Sequence, residues 1–136
     1  MNDFELKGYK ISEVSFVNKI QGNRKIELNN KYSYNVGYSK INTCRGEFRA
    51  EIFDKTSPEL FSVTVVMEGY FSINGEVAKE LLHVKTYEAL FPYVKAAVST
   101  ITANAGIPPV MMPYVDISKQ NIYRVEMPPR ENSDDE

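Results

Sequence analysis

Residues able to perform nucleophilic or acid–base catalysis are few in this chain, and the two most reactive types occur once each. Cys44 is the only cysteine and His83 the only histidine among the 136 residues. Arg45 follows Cys44 and could lower the thiol pKa, but a nucleophile also needs a base beside it, and the local sequence offers none. His83 stands in the apolar stretch LLHV, which indicates a structural histidine. We therefore predict no catalytic residue and no enzymatic activity.

Metal, cofactor and nucleic-acid sites are not predicted either. One cysteine and one histidine cannot close a structural zinc site, and the scattered glycines build no loop that would bind phosphate. The net charge is −2, and residues 126–136 hold five acidic residues and one arginine, so the rest of the chain is close to neutral. Without a basic stripe, a nucleic-acid partner is not expected.

Features that would direct the chain to a membrane or out of the cell are not evident. The first ten residues, MNDFELKGYK, lack the apolar core of a secretory signal. No stretch reaches the roughly 18 apolar residues that a membrane span requires. A lone cysteine suits a reducing compartment. We expect a cytoplasmic protein without membrane insertion.

The composition is rich in apolar and aromatic side chains, which are suited to binding. Nine tyrosines and seven phenylalanines occur without any tryptophan. Residues 107–115, IPPVMMPYV, combine large apolar side chains with three prolines, which exclude a helix and a central strand. Because apolar contact is non-directional and methionine adapts its shape, such a segment suits a surface that binds many polypeptide sequences.

The strands that would position these side chains are predicted by alternation. Apolar residues alternate with polar ones in four stretches, which favours antiparallel strands near residues 4–16, 32–38, 48–52 and 60–73. The first stretch changes phase near Gly8 and again near Ser12 and Glu13, as a strand with β-bulges does.

Helical spacing follows the strands. Residues 77–82 predict a short helix, and the main helix is expected to begin near Leu90, with Pro92 in its first turn, and to stop at Asn104 to Gly106. The fold class is therefore α+β, with a four-stranded antiparallel sheet followed by one long helix. We expect a single domain over residues 1–125 and a disordered acidic tail over 126–136. The apolar residues exceed what one helix can cover, which predicts either oligomerisation or an exposed apolar surface.

Three stretches resemble one known family. LFPYVKAAVSTITANAGIPPVMMPYVDI (residues 90–117) resembles the main helix and following loop of the SecB-type protein-export chaperones. EGYFSI (68–73) resembles the end of a long strand of that family, and FELKGYKISEVSF (4–16) resembles its first strand. The resemblance implies a homotetramer, assembled as a dimer of dimers, that binds unfolded polypeptides in hydrophobic grooves without ATP. As such a holdase it would keep precursors export-competent for the Sec translocase.

Site residues follow from the same resemblance. The client-binding groove is expected to be lined by aromatic and aliphatic residues from two strands and the loop after the helix, namely Tyr9, Phe16, Tyr34, Ile107, Val110, Met111, Met112 and Tyr114. The family's positions that govern tetramer formation correspond to one apolar face of the fourth strand, Phe61, Val63, Val65 and Met67. Glu13 corresponds to an acidic residue that docks the SecA motor.

Two departures from the family keep other functions open. Val17 replaces the second acidic docking position, and SKQNIYRV (118–125) could form at most a short second helix. A SecB-like chaperone dedicated to one client, such as the antitoxin of a toxin–antitoxin system, is therefore an alternative. A thioesterase-like enzyme on a similar scaffold is a further one, although no carboxylate or polar pocket is evident.

Overall fold

The fold consists of a five-stranded sheet, antiparallel except for its last strand, with one long helix packed on one face. The computed structural model describes residues 4–22, 25–39, 41–117 and 123–127, the last of these by backbone alone. In chain order the elements are β1 (Phe4–Asn18), β2 (Leu28–Tyr38), β3 (Thr43–Asp54), β4 (Phe61–Ile73), α1 (Lys79–Asn104) and β5 (Tyr123–Met127). The sheet has the order β1-β4-β3-β2-β5. The predicted fold, four antiparallel strands followed by one long helix, is confirmed.

A fifth strand lies at the C-terminal end of the described chain. β5 pairs with β2 in parallel, from Ser33 opposite Tyr123 to Gly37 opposite Met127. The sequence predicted at most a short helix over 118–125 and a tail from residue 126, whereas β5 includes Glu126 and Met127. Residues 128–136, the remainder of the predicted tail, lie outside the described residues.

The two interruptions predicted in β1 are confirmed as shifts of register against β4. One shift lies between Leu6 and Gly8, and the other between Ile11 and Glu13. Each inserts one extra residue, which returns the apolar side chains to the same face after the alternation has slipped. As a result five large apolar residues of β1 pair with inward-facing positions of β4, namely Leu6, Tyr9, Ile11, Val14 and Phe16.

Helix α1 is one continuous helix, in contrast to the two helices that the sequence predicted. It runs from Lys79 to Asn104 with Pro92 in its interior. Proline there removes the N–H that would bond to the carbonyl of Glu88, which normally ends or kinks a helix. Pro92 lies on the exposed side, while Leu90 and Val94 are fully buried. Packing on either side of the proline therefore offsets the lost hydrogen bond.

Aromatic rings from the sheet and the helix form the centre of the core. Phe48 of β3 stacks on Tyr87 of α1 with ring centroids 5.0 Å apart. Tyr34 of β2 is fully buried, and its hydroxyl donates a 2.6 Å hydrogen bond to Thr86 of α1. The predicted inward face of β2 is therefore correct.

Within the described residues, no helix has the length and apolar character that a membrane span requires.

Candidate functional site

The chain after α1 turns back and runs along the helix in extended form. We call residues 107–117 the proline segment. Near its start, the backbone N–H of Val110 donates a 2.8 Å hydrogen bond to Oγ1 of Thr102, in the last turns of α1. Further along, the hydroxyl of Tyr32 on β2 donates a 2.8 Å bond to the carbonyl oxygen of Pro113. The segment therefore lies between α1 and β2.

A third hydroxyl holds the far end of the proline segment. Tyr87 of α1 donates a 2.8 Å hydrogen bond to the carbonyl oxygen of Val115. Beside it, the hydroxyl of Tyr114 lies 3.3 Å from a carboxylate oxygen of Glu88, and the Tyr114 ring meets Phe91 edge to face at 5.0 Å. The extended backbone is thus bonded to the helix and the sheet along most of its length.

Side chains of the proline segment divide between the core and the outside. Met112 is 1% exposed and Ile117 is 6% exposed, so these two anchor the segment in the core. Met111 is 64% exposed and Tyr114 is 51% exposed. Two large apolar side chains therefore project outward from a backbone that is already held in place.

A second apolar surface lies on the opposite side of α1, over β1. Tyr9, Ile11 and Val14 face the helix side of the sheet but are 48%, 44% and 48% exposed. Tyr93 of α1 contacts this strand, with its ring centroid 4.6 Å from that of Tyr9. The helix lies mainly over β3 and β4, so the middle of β1 is only partly covered. We call these four residues the β1 surface.

The predicted groove is not brought together within one chain. Tyr9 and Phe16 lie on the β1 side, where Phe16 packs edge to face on Phe61 at 5.8 Å. The predicted residues after the helix lie on the β2 side, with Ile107 and Val110 half-buried. Tyr34 and Met112 are core residues with 0% and 1% exposure, so their assignment to an open groove was wrong.

Three residues of the β1 surface were missed by the sequence reading. Ile11 and Val14 stand on either side of the second bulge, and they share a face only once that bulge has reset the alternation. Tyr93 follows Pro92, where the helix was expected to begin. In the sequence, the second change of phase in the apolar alternation is the signal that Ile11 and Val14 lie on the same face of β1.

The residues predicted to form an oligomer interface are in the chain's own core. Their exposures are 0–2%, and helix α1 covers the face on which they lie, at Phe61, Val63, Val65 and Met67. Because they have no surface left to present to another copy, the assignment requires correction. Alternation identifies a buried face, but it does not say which element buries it.

Glu13, the predicted docking residue, lies on the outer face of the sheet. Its carboxylate is 3.5 Å from the Arg49 guanidinium, which also contacts Glu51 at 2.7 Å. Further along this face, Arg45 lies 3.4 Å from Glu68. The outer face of the sheet is thus largely polar and charged, whereas the apolar surfaces lie on the helix side.

Cys44 and His83, the only cysteine and histidine of the chain, are both buried. Burial raises the pKa of the Cys44 thiol to about 12, which is the opposite of what a nucleophile needs at neutral pH. His83 is 6% exposed, and its ring packs against that of Tyr34 with centroids 5.2 Å apart. Among the described residues, no three potential ligands are grouped to hold a metal ion.

A sheet crossed by one long helix, followed by an extended apolar segment, is a fold shared with SecB-like chaperones. The family profile described as preprotein translocase subunit SecB matches residues 15–128. The chain belongs to the SecB family. Its fold and its family together support a chaperone role.

Two of the curated relatives described next carry the SecB name. A protein of Methanocaldococcus jannaschii, itself described as uncharacterised, is 31% identical over 128 residues, covering 84% of this chain and 79% of that protein. Protein-export protein SecB of Orientia tsutsugamushi is 34% identical over 64 residues, covering 45% of this chain and 40% of that protein. The SecB of Agrobacterium fabrum is 33% identical over 69 residues, covering 48% and 43%.

A solved structure shares the fold. It is the SecB-like chaperone of Mycobacterium tuberculosis in complex with a ChAD peptide from the HigA1 antitoxin. The TM-score is 0.68 at 12% sequence identity, and the match covers 83% of this chain and 91% of that chain. At this identity the likeness concerns the fold alone.

Proposed function

We propose that the protein is an ATP-independent holdase that binds unfolded, non-native polypeptides and prevents their aggregation in the cytoplasm. The observation that carries this proposal is the exposure of Met111 and Tyr114 on a backbone held by hydrogen bonds. An extended apolar segment of a client can pack on such side chains. No particular client sequence is required, because apolar contact is non-directional. Several weak contacts of this kind sum to a useful affinity.

The β1 surface is proposed as the contact between copies in a homotetramer, assembled as a dimer of dimers. Four apolar side chains are exposed there together, and β1 is an edge strand of 15 residues that pairs with β4 alone among the described strands. An uncovered strand edge beside an apolar face is a strong template for association. This arrangement would cover the β1 surface and leave the proline segment to clients.

Delivery of precursors to the Sec translocase is proposed as the role of this binding. It is supported by the family and by relatives named as protein-export proteins. Glu13 is the proposed contact for the SecA motor, and its ion pair with Arg49 has to be broken or shared when the motor docks. Binding of SecA to the protein and to Glu13→Gln tests this, and equal affinity for both would remove Glu13 from the proposal.

A chaperone dedicated to one client is the second candidate. The observation in its favour is the solved SecB-like chaperone whose fold this chain shares, since that protein is bound to an antitoxin peptide. The two candidates differ in the number of different client polypeptides that they bind. Purification with bound clients, followed by mass spectrometry, would find many polypeptides for a general holdase and one dominant polypeptide for a dedicated chaperone.

The holdase activity itself is tested by light scattering during thermal unfolding of an aggregation-prone protein such as citrate synthase. We expect the purified protein to suppress scattering without ATP, at about one assembled oligomer per substrate chain. Addition of ATP should change nothing. Undiminished aggregation at a tenfold excess would contradict the proposal.

A further inference from the structure

We propose that the hydroxyl groups of Tyr32, Tyr87 and Thr102 are positioning groups for client binding. Each holds one backbone group of the proline segment, so that Met111 and Tyr114 are presented outward before a client arrives. The inference rests on the proposed holdase function and names the residues that prepare its binding surface.

Backbone pairing explains why the proline segment needs such groups. Proline has no N–H, and an extended segment outside a sheet ladder has no regular partners for its carbonyl groups. The bonded groups are the N–H of Val110 and the carbonyl oxygens of Pro113 and Val115. These three positions lie on either side of Met111 and Tyr114 along the chain. The pattern therefore fixes the backbone at the places from which the two exposed side chains project.

The three hydroxyls belong to residues of α1 and β2, outside the proline segment. Tyr87 and Thr102 are fully buried on α1, and Tyr32 is 8% exposed on β2. Thr102 is itself held, because its hydroxyl donates to the carbonyl oxygen of Val98 at 2.9 Å while it accepts from Val110. The aromatic rings of Tyr32 and Tyr87 pack in the core, so their hydroxyl ends are directed by side-chain packing. The segment is thus bonded to buried residues of α1 and β2.

Binding to a surface that is already ordered avoids the entropy cost of ordering it. If one hydroxyl is removed, the segment gains freedom that a client must then take away again. The expected effect is a loss of client affinity that exceeds any change in how the core folds. A purely structural role would instead lower stability and leave the affinity of the folded protein unchanged.

The test removes each hydroxyl while nearly keeping the side-chain shape, with the variants Tyr32→Phe, Tyr87→Phe and Thr102→Val. Tyr34→Phe is the matched control, because its hydroxyl bonds to Thr86 within the core and not to the segment. Thr102→Ser is the conservative rescue, since it keeps the hydroxyl. Affinity is measured by fluorescence anisotropy with labelled, reduced and carboxymethylated α-lactalbumin, which is permanently unfolded.

We expect each of the three variants to weaken binding by roughly three- to tenfold, as the loss of one hydrogen bond implies. Thr102→Ser and Tyr34→Phe should bind as the wild-type protein does. Hydrogen exchange followed by mass spectrometry should show faster exchange in residues 107–117 for the three variants and not for Tyr34→Phe. Circular dichroism reports whether each variant is folded. If a tyrosine variant fails to fold, the client affinities of Thr102→Ser and Thr102→Val are compared instead.

The outcomes separate this inference from the function on which it rests. If the wild-type protein does not bind the unfolded probe, the holdase proposal and the positioning role both fall. If the wild-type protein binds and the folded variants bind equally well, only the positioning role falls. Unchanged exchange in residues 107–117 of the variants would overturn it as well, whatever the affinities are.

Discussion

The ring of Tyr34 lies directly over the α-carbon of Gly46 on the neighbouring strand, in the space that a side chain at position 46 would occupy. A Cβ at residue 46 would stand 2.8 Å from Cζ of the tyrosine and closer still to its hydroxyl oxygen. That hydroxyl is bonded to Thr86 of α1, so the ring cannot move aside without breaking the bond. Glycine at position 46 is therefore required, because only a residue without a side chain leaves room for the Tyr34 ring.

Gly46→Ala should destabilise the domain by about 2–3 kcal/mol, because overpacking displaces the Tyr34 ring and its hydrogen bond. Chemical denaturation measures the change. Gly8→Ala is the control, since a Cβ at residue 8 meets nothing within 4 Å. Equal stability of the two variants would contradict the observed packing of Tyr34.

Val65→Arg should abolish folding of the single chain, because Val65 has 0% exposure beneath α1 and an unpaired charge cannot be buried there at a tolerable cost. Circular dichroism is expected to show loss of the native spectrum. A folded Val65→Arg variant with a changed number of subunits would restore the interface role that the sequence suggested for this residue.

Association should depend on the β1 surface instead. Val14→Asp and Tyr93→Asp place a charge on side chains that are 48% and 41% exposed, so both variants should fold. Light scattering should then report fewer subunits than for the wild-type protein. An undisturbed oligomer in both variants would mean that copies meet elsewhere.

Client binding should depend on the outward side chains of the proline segment. Met111→Ser and Tyr114→Ser are each expected to lower the affinity for an unfolded polypeptide by roughly three- to tenfold, through loss of apolar contact area. Ile41→Ser is the control, because Ile41 is apolar and 76% exposed but lies between β2 and β3. If Ile41→Ser weakens binding as much as the other two variants, exposure alone matters and the segment has no special role.

Alkaline pH should destabilise the fold. Burial raises the pKa of Cys44 from 9.0 to about 12 and that of Tyr32 from 10.0 to about 12. Both groups keep their protons longer in the folded state, so their contribution is fully present below about pH 9 and is lost as the pH rises toward 12. By pH 11 the stability lost through Cys44 is on the order of 3 kcal/mol. Denaturation between pH 8 and 11 measures the fall, which should be shallower in Cys44→Ala; an unchanged slope would contradict the assignment.

Much of the fold could be predicted from local pattern because that pattern records which side of a strand is buried. The inward face of β2 and both bulges of β1 follow from the period-two alternation and its two slips. The continuous helix did not, because Pro92 reads locally as a first-turn residue. Its place in the interior depends on packing of Leu90 and Val94 against the sheet, which no helical pattern contains. β5 is held by backbone pairing with β2, which leaves almost no trace in residue type.

The candidate site shows the same division. That the chain carries more apolar side chains than one helix can cover, and that prolines hold residues 107–117 in extended form, was determined by the amino-acid sequence alone. Which of those side chains remain outside was decided only by the tertiary structure. Met111 and Met112 are identical neighbours, yet one is 64% exposed and the other 1%. The difference depends on how the backbone is oriented, and hydrogen bonds from Tyr32, Tyr87 and Thr102 hold that backbone against β2 and α1.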